Sequence, residues 1–348
     1  MTTAAQPPAP GPSAGLDAAP VRFGVVGTNW ITAALIEAGR TVPGFEVTAV
    51  LSRSPESGRS FAHANGVDAV HTSLAALADD DAVDAVYVAS PNSLHAEQSL
   101  ALMRAGKHVL AEKPLGASVR QVESLAEAAE DAGRVLMEAY TTPFEPNAAA
   151  IRDALPEVGR LRRVVLTKDQ YSSRYDALKA GSLPNAFNPR FAAGSVMDLG
   201  FYPVALAIHL FGDPASVVAT GTMLASGVDG QGTILLGYDG FEVACLHSKV
   251  STAGIGSQVA GEDGVLVLDD CSVPTQVRLL RRDGSSADLA RPQSAAHMRY
   301  EVEHVLGLIR SGVGGSPMWP VGDGGSLSVA RVLEEARRKV GVRFPSDG

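Results

Sequence analysis

The sequence predicts an α/β chain in two parts: an N-terminal doubly wound parallel sheet of the Rossmann type, then an α+β domain with an open, mainly antiparallel sheet. Three observations predict it. The 348 residues exceed what one compact core usually organises, so two cores are expected. From Val21, short runs rich in Val, Ala and Leu alternate with longer segments of helical period, the pattern of parallel strands joined by crossover helices. Beyond Thr141 this gives way to β-rich segments joined by short turns, which pair most simply as an antiparallel sheet.

In the first part, a strand at Val21–Val26 leads into a helix over Trp30–Gly39, and a strand at Glu46–Leu51 leads into a helix near Glu56–Asn65. Buried strands follow at Asp84–Ala89 and Lys107–Ala111, with a helix over Ser93–Ala105 between them. A helix over Ser118–Ala132 and a last strand at Val135–Glu138 complete this half. In the second part, a helix near Asn147–Leu155 precedes strands at Leu161–Thr167, Val217–Gly221, Gly232–Tyr238, Phe241–Val250, Gly264–Leu268 and Gln276–Arg281. Tyr238-Asp239-Gly240-Phe241 reads as a hairpin turn, and helices at Ala295–Ser311 and Ser326–Val340 close the chain. The expected division is a disordered tail over 1–20, a Rossmann-type domain over 21–140 and a second, α+β domain over 141–348.

Composition narrows the partners. With 45% hydrophobic and 19% charged residues the chain is globular rather than disordered. A net charge of −9 without a Lys/Arg-rich run disfavours nucleic acid or an anionic membrane and favours a small molecule. Cys245 and Cys271 sit in apolar, strand-like segments and read as packing residues, not as a disulfide or a metal site. The Ala- and Pro-rich first twenty residues lack the apolar stretch of a secretion signal, so a cytoplasmic location is expected. Ala192–Gly212 is the most membrane-like window, but Asp198 and His209 interrupt it and it reads as a core helix.

Gly27-Thr28-Asn29-Trp30-Ile31-Thr32 lies at the turn between the first strand and its helix, where a dinucleotide fingerprint uses small residues and helix N–H groups to take a pyrophosphate. Asn29 replaces the second glycine of that fingerprint; asparagine tolerates left-handed dihedrals, and its amide can contact phosphate. An ordinary strand–helix turn is the competing reading. At the end of the second strand, where a carboxylate would hold the ribose of NAD, stand Ser52, Arg53 and Ser54, with Arg59 further on. A hydroxyl and a guanidinium suit the 2′-phosphate of NADP, so NADP is the expected cofactor with NAD as the alternative; for Arg59 a solvated surface role competes closely. Ser90-Pro91-Asn92-Ser93-Leu94-His95 and Glu112-Lys113-Pro114-Leu115 fall at the carboxyl ends of strands, where open α/β sheets bind ligands. Lys113 can bond to a ribose or substrate hydroxyl and favours a deprotonated neighbour, and Pro114 can set a cis bond.

From Val21 to the C-terminus the chain resembles the glucose-fructose oxidoreductase, inositol dehydrogenase and rhizopine-catabolism family, Gfo/Idh/MocA. The modified glycine turn, SPNSLH, GKHVLAEKPL and MDLGFYP occur in that family's order and approximate spacing. The resemblance implies a catalytic or substrate-positioning role for Lys113, and an open C-terminal sheet that walls the active site and often makes an oligomer interface, here a homodimer or homotetramer. Asp198 with Tyr202 four residues later is similar to the family's Asp and His/Tyr pair, in the version of the glucose-fructose oxidoreductase and dihydrodiol or xylose dehydrogenase branch. On one continuous helix that spacing places both on one face.

The expected reaction is hydride transfer between nicotinamide and a carbinol or carbonyl carbon of a sugar, ketosugar or related polyol. Tyr202 is the expected proton carrier, since a phenol of ordinary pKa about 10 needs a neighbouring ammonium such as Lys113 to lower it. Asp198 would fix a substrate hydroxyl or Lys113, and Asn92 and His95 would border the nicotinamide ribose. Gly27, Thr28, Asn29, Trp30, Ile31, Ser52, Arg53, Ser90, Glu112 and Lys113 complete the expected cofactor site. Tyr171, Arg174, Tyr175 and Asn185, in two clusters dense in donors and acceptors, are candidate substrate selectors, with a solvated loop as the competing reading. No metal is expected: HExxH is absent, and His297 and His304 lack a further ligand motif. Two other functions of the same fold stay open, a glycoside hydrolase using bound NAD without net redox change and a noncatalytic cofactor sensor.

Overall fold

The computed structural model describes residues 19–312 and 325–347; the tail expected over 1–20 falls almost wholly outside them. The chain divides into two compact units.

The first unit is built on six parallel strands: β1 (Val21–Val26), β2 (Phe45–Leu51), β3 (Ala69–His71), β4 (Ala85–Val88), β5 (His108–Glu112) and β6 (Leu136–Ala139). They lie in the order β3-β2-β1-β4-β5-β6, so the chain reverses its direction of growth between β1 and β4. The crossover helices are α1 (Trp30–Gly39), α2 (Pro55–Ala64), α3 (Leu74–Ala78), α4 (Asn92–Arg104) and α5 (Val119–Ala132). Phe23, Val25, Val86, Tyr87, Val88, Val109 and Leu110 are fully buried, as expected of strands covered on both faces. β3 and α3 had no counterpart in the sequence reading.

The second unit opens with α6 (Pro146–Ala154) and β7 (Leu161–Asp169), then α7 (Tyr175–Lys179), α8 (Ser195–Asp198) and α9 (Phe201–Phe211). Strands β8 (Ser216–Met223), β9 (Asp229–Tyr238), β10 (Phe241–Ser248), β11 (Ser257–Gly261), β12 (Gly264–Leu268), β13 (Val277–Arg281) and β14 (Ser286–Asp288) follow. With β7 they form one open sheet in the order β14-β13-β12-β11-β7-β10-β9-β8. Its pairs are antiparallel except β7 with β10, which run parallel. The turn at Asp239–Gly240 is the expected hairpin, with Tyr238 opposite Phe241 and Gly240 at φ +83°. Val164, Leu166, Val243, Cys245, Ile234 and Leu236 alternate onto one buried face under α9, and the opposite face leaves Val218 and its register partner Leu235 exposed. Cys245 and Cys271 are buried packing residues, as expected.

Helices α10 (Arg299–Ser311) and α11 (Gly325–Val340) divide between the units. α11 packs on α9 and β8, whereas α10 sets Val302, Val305 and Leu306 inward in the first unit and packs on α1. The expected boundary at 141 therefore omits the return of the segment that carries α10, residues 294–312, to the first unit. Among the described residues no single helix is long and apolar enough to cross a membrane.

Candidate active site

In the first unit, the turns after β1 and β4 meet where the strand order reverses, the place at which doubly wound sheets bind dinucleotides. Gly27 has φ +105°, and a Cβ there would lie 2.7 Å from the Ala89 carbonyl oxygen, so only glycine lets the two turns approach this closely. Asn29 corrects its expected role. It is extended (φ −99°) rather than left-handed and is the N-cap of α1. Its Oδ1 accepts from the Ile31 and Thr32 amides at 3.0 and 3.1 Å, while its Nδ2 donates to the Ala89 carbonyl at 2.8 Å. The side-chain amide thus stitches β1 to β4 and caps α1. Trp30, at the first helical position, is 76% exposed.

After β2, Ser52 is buried and Arg53 is exposed; Ser54 caps α2 by accepting from the Ser57 amide at 3.3 Å. Among the described residues, Arg53 and Arg59 have no hydrogen-bond or ion-pair partner.

The Ser90 and Lys113 segments are bound to each other through His95, and this too is a correction. The ring is 1% exposed, so it cannot border a ribose. Instead Nε2 lies 2.7 Å from the Ser90 carbonyl and Nδ1 2.9 Å from the Pro114 carbonyl, locking the two strand ends together. Burial holds the imidazole below its usual pKa. The Ser90 hydroxyl donates to Gln98, and Asn92 opens α4. Glu112 accepts from the Tyr87 hydroxyl and the Lys113 amide, so its carboxylate shapes the turn that carries Lys113. The Lys113–Pro114 bond is cis, as the sequence allowed.

The second unit gathers Asp198, Tyr202 and the expected selector clusters. The single continuous helix is not found: α8 ends at Asp198, α9 begins at Phe201, and the segment Pro189–Asp198 meets α9 at a bend of 54°. Gly200 makes the corner, because a Cβ there would lie 2.6 Å from the Val196 carbonyl oxygen. Asp229 anchors α8 from β9 by accepting from the Val196 amide at 2.8 Å, and the Ser195 hydroxyl lies 2.8 Å from His247 Nδ1. Burial pushes His247 down to about 3 and Asp229 up to about 6, so His247 is neutral near pH 7.

Two lysines missing from the sequence reading complete this corner. The parallel pairing of β7 with β10 sets Lys168 opposite His247 on the helix-covered face, with Lys249 two residues beyond. The buried Lys249 ammonium forms an ion pair with Asp198 and lies 5.6 Å from the Phe187 ring centroid. Lys168 places its ammonium 5.5 Å from the Tyr202 ring centroid while donating to Asp270 (2.7 Å) and Ser272 (2.6 Å). Although burial pulls Asp270 upward, the hydrogen bond and charge of Lys168 bring it below the ordinary carboxylate range. The signal for Lys168 was its alternation with Val164 and Leu166, which put a cation on the apolar face of a strand.

From Phe187 the aromatic chain continues outward. Tyr175 lies 5.7 Å from Phe187 and Tyr171 5.6 Å from Tyr175, measured between ring centroids. The Tyr171 hydroxyl donates to Asp176 at 2.8 Å and accepts from Lys179 at 2.9 Å; the direct Asp176–Lys179 pair at 2.7 Å, aided by those bonds, holds Asp176 below and Lys179 above their usual ranges. Arg174 and Asn185 are exposed beside this row. A carboxylate, a phenol and the Tyr171 and Tyr175 rings, backed by the buried Lys249 and Phe187, form a surface suited to hydroxyls and C–H faces together.

A family model described as an oxidoreductase family with a NAD-binding Rossmann fold matches residues 21–140, and a GFO/IDH/MocA C-terminal domain model matches residues 154–267. The chain is 42% identical over 327 residues to scyllo-inositol 2-dehydrogenase (NADP(+)) IolU of Bacillus subtilis, spanning 94% of this chain and 99% of that protein. It is 30% identical over 342 residues to trans-1,2-dihydrobenzene-1,2-diol dehydrogenase of Macaca fuscata fuscata, spanning 94% and 99%. It is similar in structure to KijD10, a 3-ketoreductase from Actinomadura kijaniata in complex with NADP and TDP-benzene, at a TM-score of 0.81 and 26% identity over 93% of this chain and 98% of that one. Sequence motifs, a doubly wound sheet joined to an open one, and these likenesses agree: the chain belongs to the Gfo/Idh/MocA family of oxidoreductases.

Proposed function

We propose that this chain is an NADP-dependent dehydrogenase that moves a hydride between the cofactor and a carbinol or carbonyl carbon of a sugar, ketosugar or related polyol. The Gly27 cradle, the amides of Thr28 to Trp30 and the unpartnered Arg53 fit a dinucleotide with a 2′-phosphate. When bound, the nicotinamide C4 supplies the hydride or accepts it.

The chain's own groups handle the proton and the orientation. In the oxidising direction the substrate hydroxyl gives its proton to the Tyr202 oxygen as the C–H bond breaks; in reduction Tyr202 returns it to the new alkoxide oxygen. Lys113 favours the phenolate and orients the reacting oxygen. Asp198, ion-paired with Lys249, accepts from a neighbouring substrate hydroxyl and fixes which carbon is presented. Tyr171, Arg174, Tyr175 and Asn185 select the substrate. The exposed Val218–Leu235 side of the open sheet is the surface through which copies associate as a dimer or tetramer.

The observation that carries this reading is the α8–α9 corner, where an ion-paired carboxylate and a phenol under an ammonium stand together. The test is absorbance at 340 nm with scyllo-inositol, trans-1,2-dihydrobenzene-1,2-diol and a panel of aldoses, each offered with NADP+ and with NAD+. NADPH formed mole for mole with oxidised product supports the reading. Release of sugar from glycosides with no net change in cofactor would replace it with hydrolysis.

A further inference from the structure

The proposed chemistry needs a Tyr202 that ionises far more readily than a phenol in water, and the second unit carries a cation placed for that. Lys168 projects from β7 towards the first turn of α9. Its ammonium is held by Asp270 and Ser272 at 2.7 and 2.6 Å and lies 5.5 Å from the centroid of the Tyr202 ring. The side chain is 15% exposed, so water screens its field weakly.

We propose that Lys168 is a positioning residue for the reaction, a second ammonium that stabilises the Tyr202 phenolate from within its own unit; this rests on the reading of Tyr202 as proton carrier. A cation over a neutral ring is attracted only by the ring quadrupole. Once the phenol ionises, the same cation meets a full negative charge, part of it delocalised into the ring. The attraction grows on ionisation, which favours the phenolate.

Several other charged groups around α9 are paired or neutral, among them His209 on α9 itself, whose pKa burial and the nearby Arg152 push down to about 4. Asp198 on α8 is paired with Lys249. His247 on β10 is neutral, its pKa pushed down to about 3 by burial. Glu145, which follows the turn Thr142–Phe144, is protonated near pH 7, its pKa pushed up to about 8 by burial and by Asp270. On α11, Arg337 is paired with Asp347 and Glu334 with Arg338. Asp270 opposes Lys168 in part, and in holding the ammonium it also keeps it over the ring.

The experiment is a titration of Tyr202 in the full chain labelled with 13C at tyrosine Cζ, the seven resonances being assigned with Tyr202→Phe. Lys168→Met raises the Tyr202 midpoint by about one pH unit, roughly a tenfold loss of phenolate at fixed pH. Lys168→Arg keeps the wild-type midpoint. Lys168→Gln, which retains a donor for Asp270 and Ser272, moves with Met and serves if the Met variant fails to fold. A purely structural Lys168 would lower the unfolding temperature and leave the midpoint in place, and a Tyr202 midpoint unchanged in the Met or Gln variant overturns the proposal. Full turnover in Tyr202→Phe would instead sink the proton-carrier reading, and the titration would still decide what Lys168 does to the phenol.

Discussion

Replacing Asn29 with alanine removes two separate attachments of the nucleotide turn, and their cost follows from the contacts. The cap accepted from Ile31 and Thr32 at 3.0 and 3.1 Å is worth about 1 kcal/mol. The bond to the Ala89 carbonyl at 2.8 Å adds about 1 kcal/mol. Together they total about 2 kcal/mol, which for a unit of this size lowers Tm by roughly 4–8 °C. Asn29→Asp separates the two attachments. It keeps the cap acceptor, loses the donor to Ala89, and sets a carboxylate beside both the Ala89 carbonyl and the expected pyrophosphate. Its NADPH Kd therefore rises by more than about tenfold, or about 1.4 kcal/mol, beyond any rise in the alanine variant. The assays are thermal unfolding by circular dichroism and NADPH titration by fluorescence. An alanine variant that melts with the wild type, or an aspartate variant that binds NADPH normally, refutes this account of the turn.

Three further outcomes are expected. Arg53→Asp removes the guanidinium proposed for the 2′-phosphate and lowers the NADPH-to-NADH affinity ratio by about tenfold or more; an unchanged ratio in paired Kd measurements shows the assignment to be wrong. Glu145 is 1% exposed with both carboxyl oxygens unpartnered, and its pKa stands at about 8 against an ordinary 4.5. An acid raised in the folded state contributes stability that is complete below the unfolded value and is lost as pH rises through the folded one. Glu145→Gln is accordingly no more stable than wild type at pH about 4.5 and gains on it by a few kcal/mol at pH about 8.5; parallel urea midpoints at the two pH values would contradict this. Lys113→Met abolishes most turnover while leaving NADPH affinity largely intact, measured by steady-state kinetics beside fluorescence titration, and near-normal kcat would remove Lys113 from the chemistry.

Most of the strand–helix alternation was legible because buried parallel strands leave a plain compositional signature, and Gly27 announced itself by standing at the end of the first one. β3 spans only Ala69–His71, too short a run to register as a strand. β11 (Ser257–Gly261) was missed because Ser, Gln and Gly dilute its apolar alternation. The amphipathic stripe of α10 shows that the helix packs, but it does not say which core receives it. Asp198 and Tyr202 were marked by a motif, whereas their partners Lys168 and Lys249 come from strand ends remote in sequence and are gathered only by the parallel pairing of β7 with β10. His95 and Asn29 were correctly placed at the strand ends. Their bonds to Ser90, Pro114 and Ala89 depend on contacts across the sheet that residue type alone does not specify.

The proposed reaction is tested most directly by following a labelled hydride. With NADPH carrying deuterium at the transferring C4 position and the keto form of a substrate found in the screen, one deuterium should appear on the new carbinol carbon for each NADPH consumed, and Tyr202→Phe should slow that transfer by orders of magnitude with NADPH still bound. Label that stays in the cofactor while the wild-type protein processes its substrate would contradict hydride transfer to substrate, and undiminished transfer in Tyr202→Phe would take the proton role from the phenol.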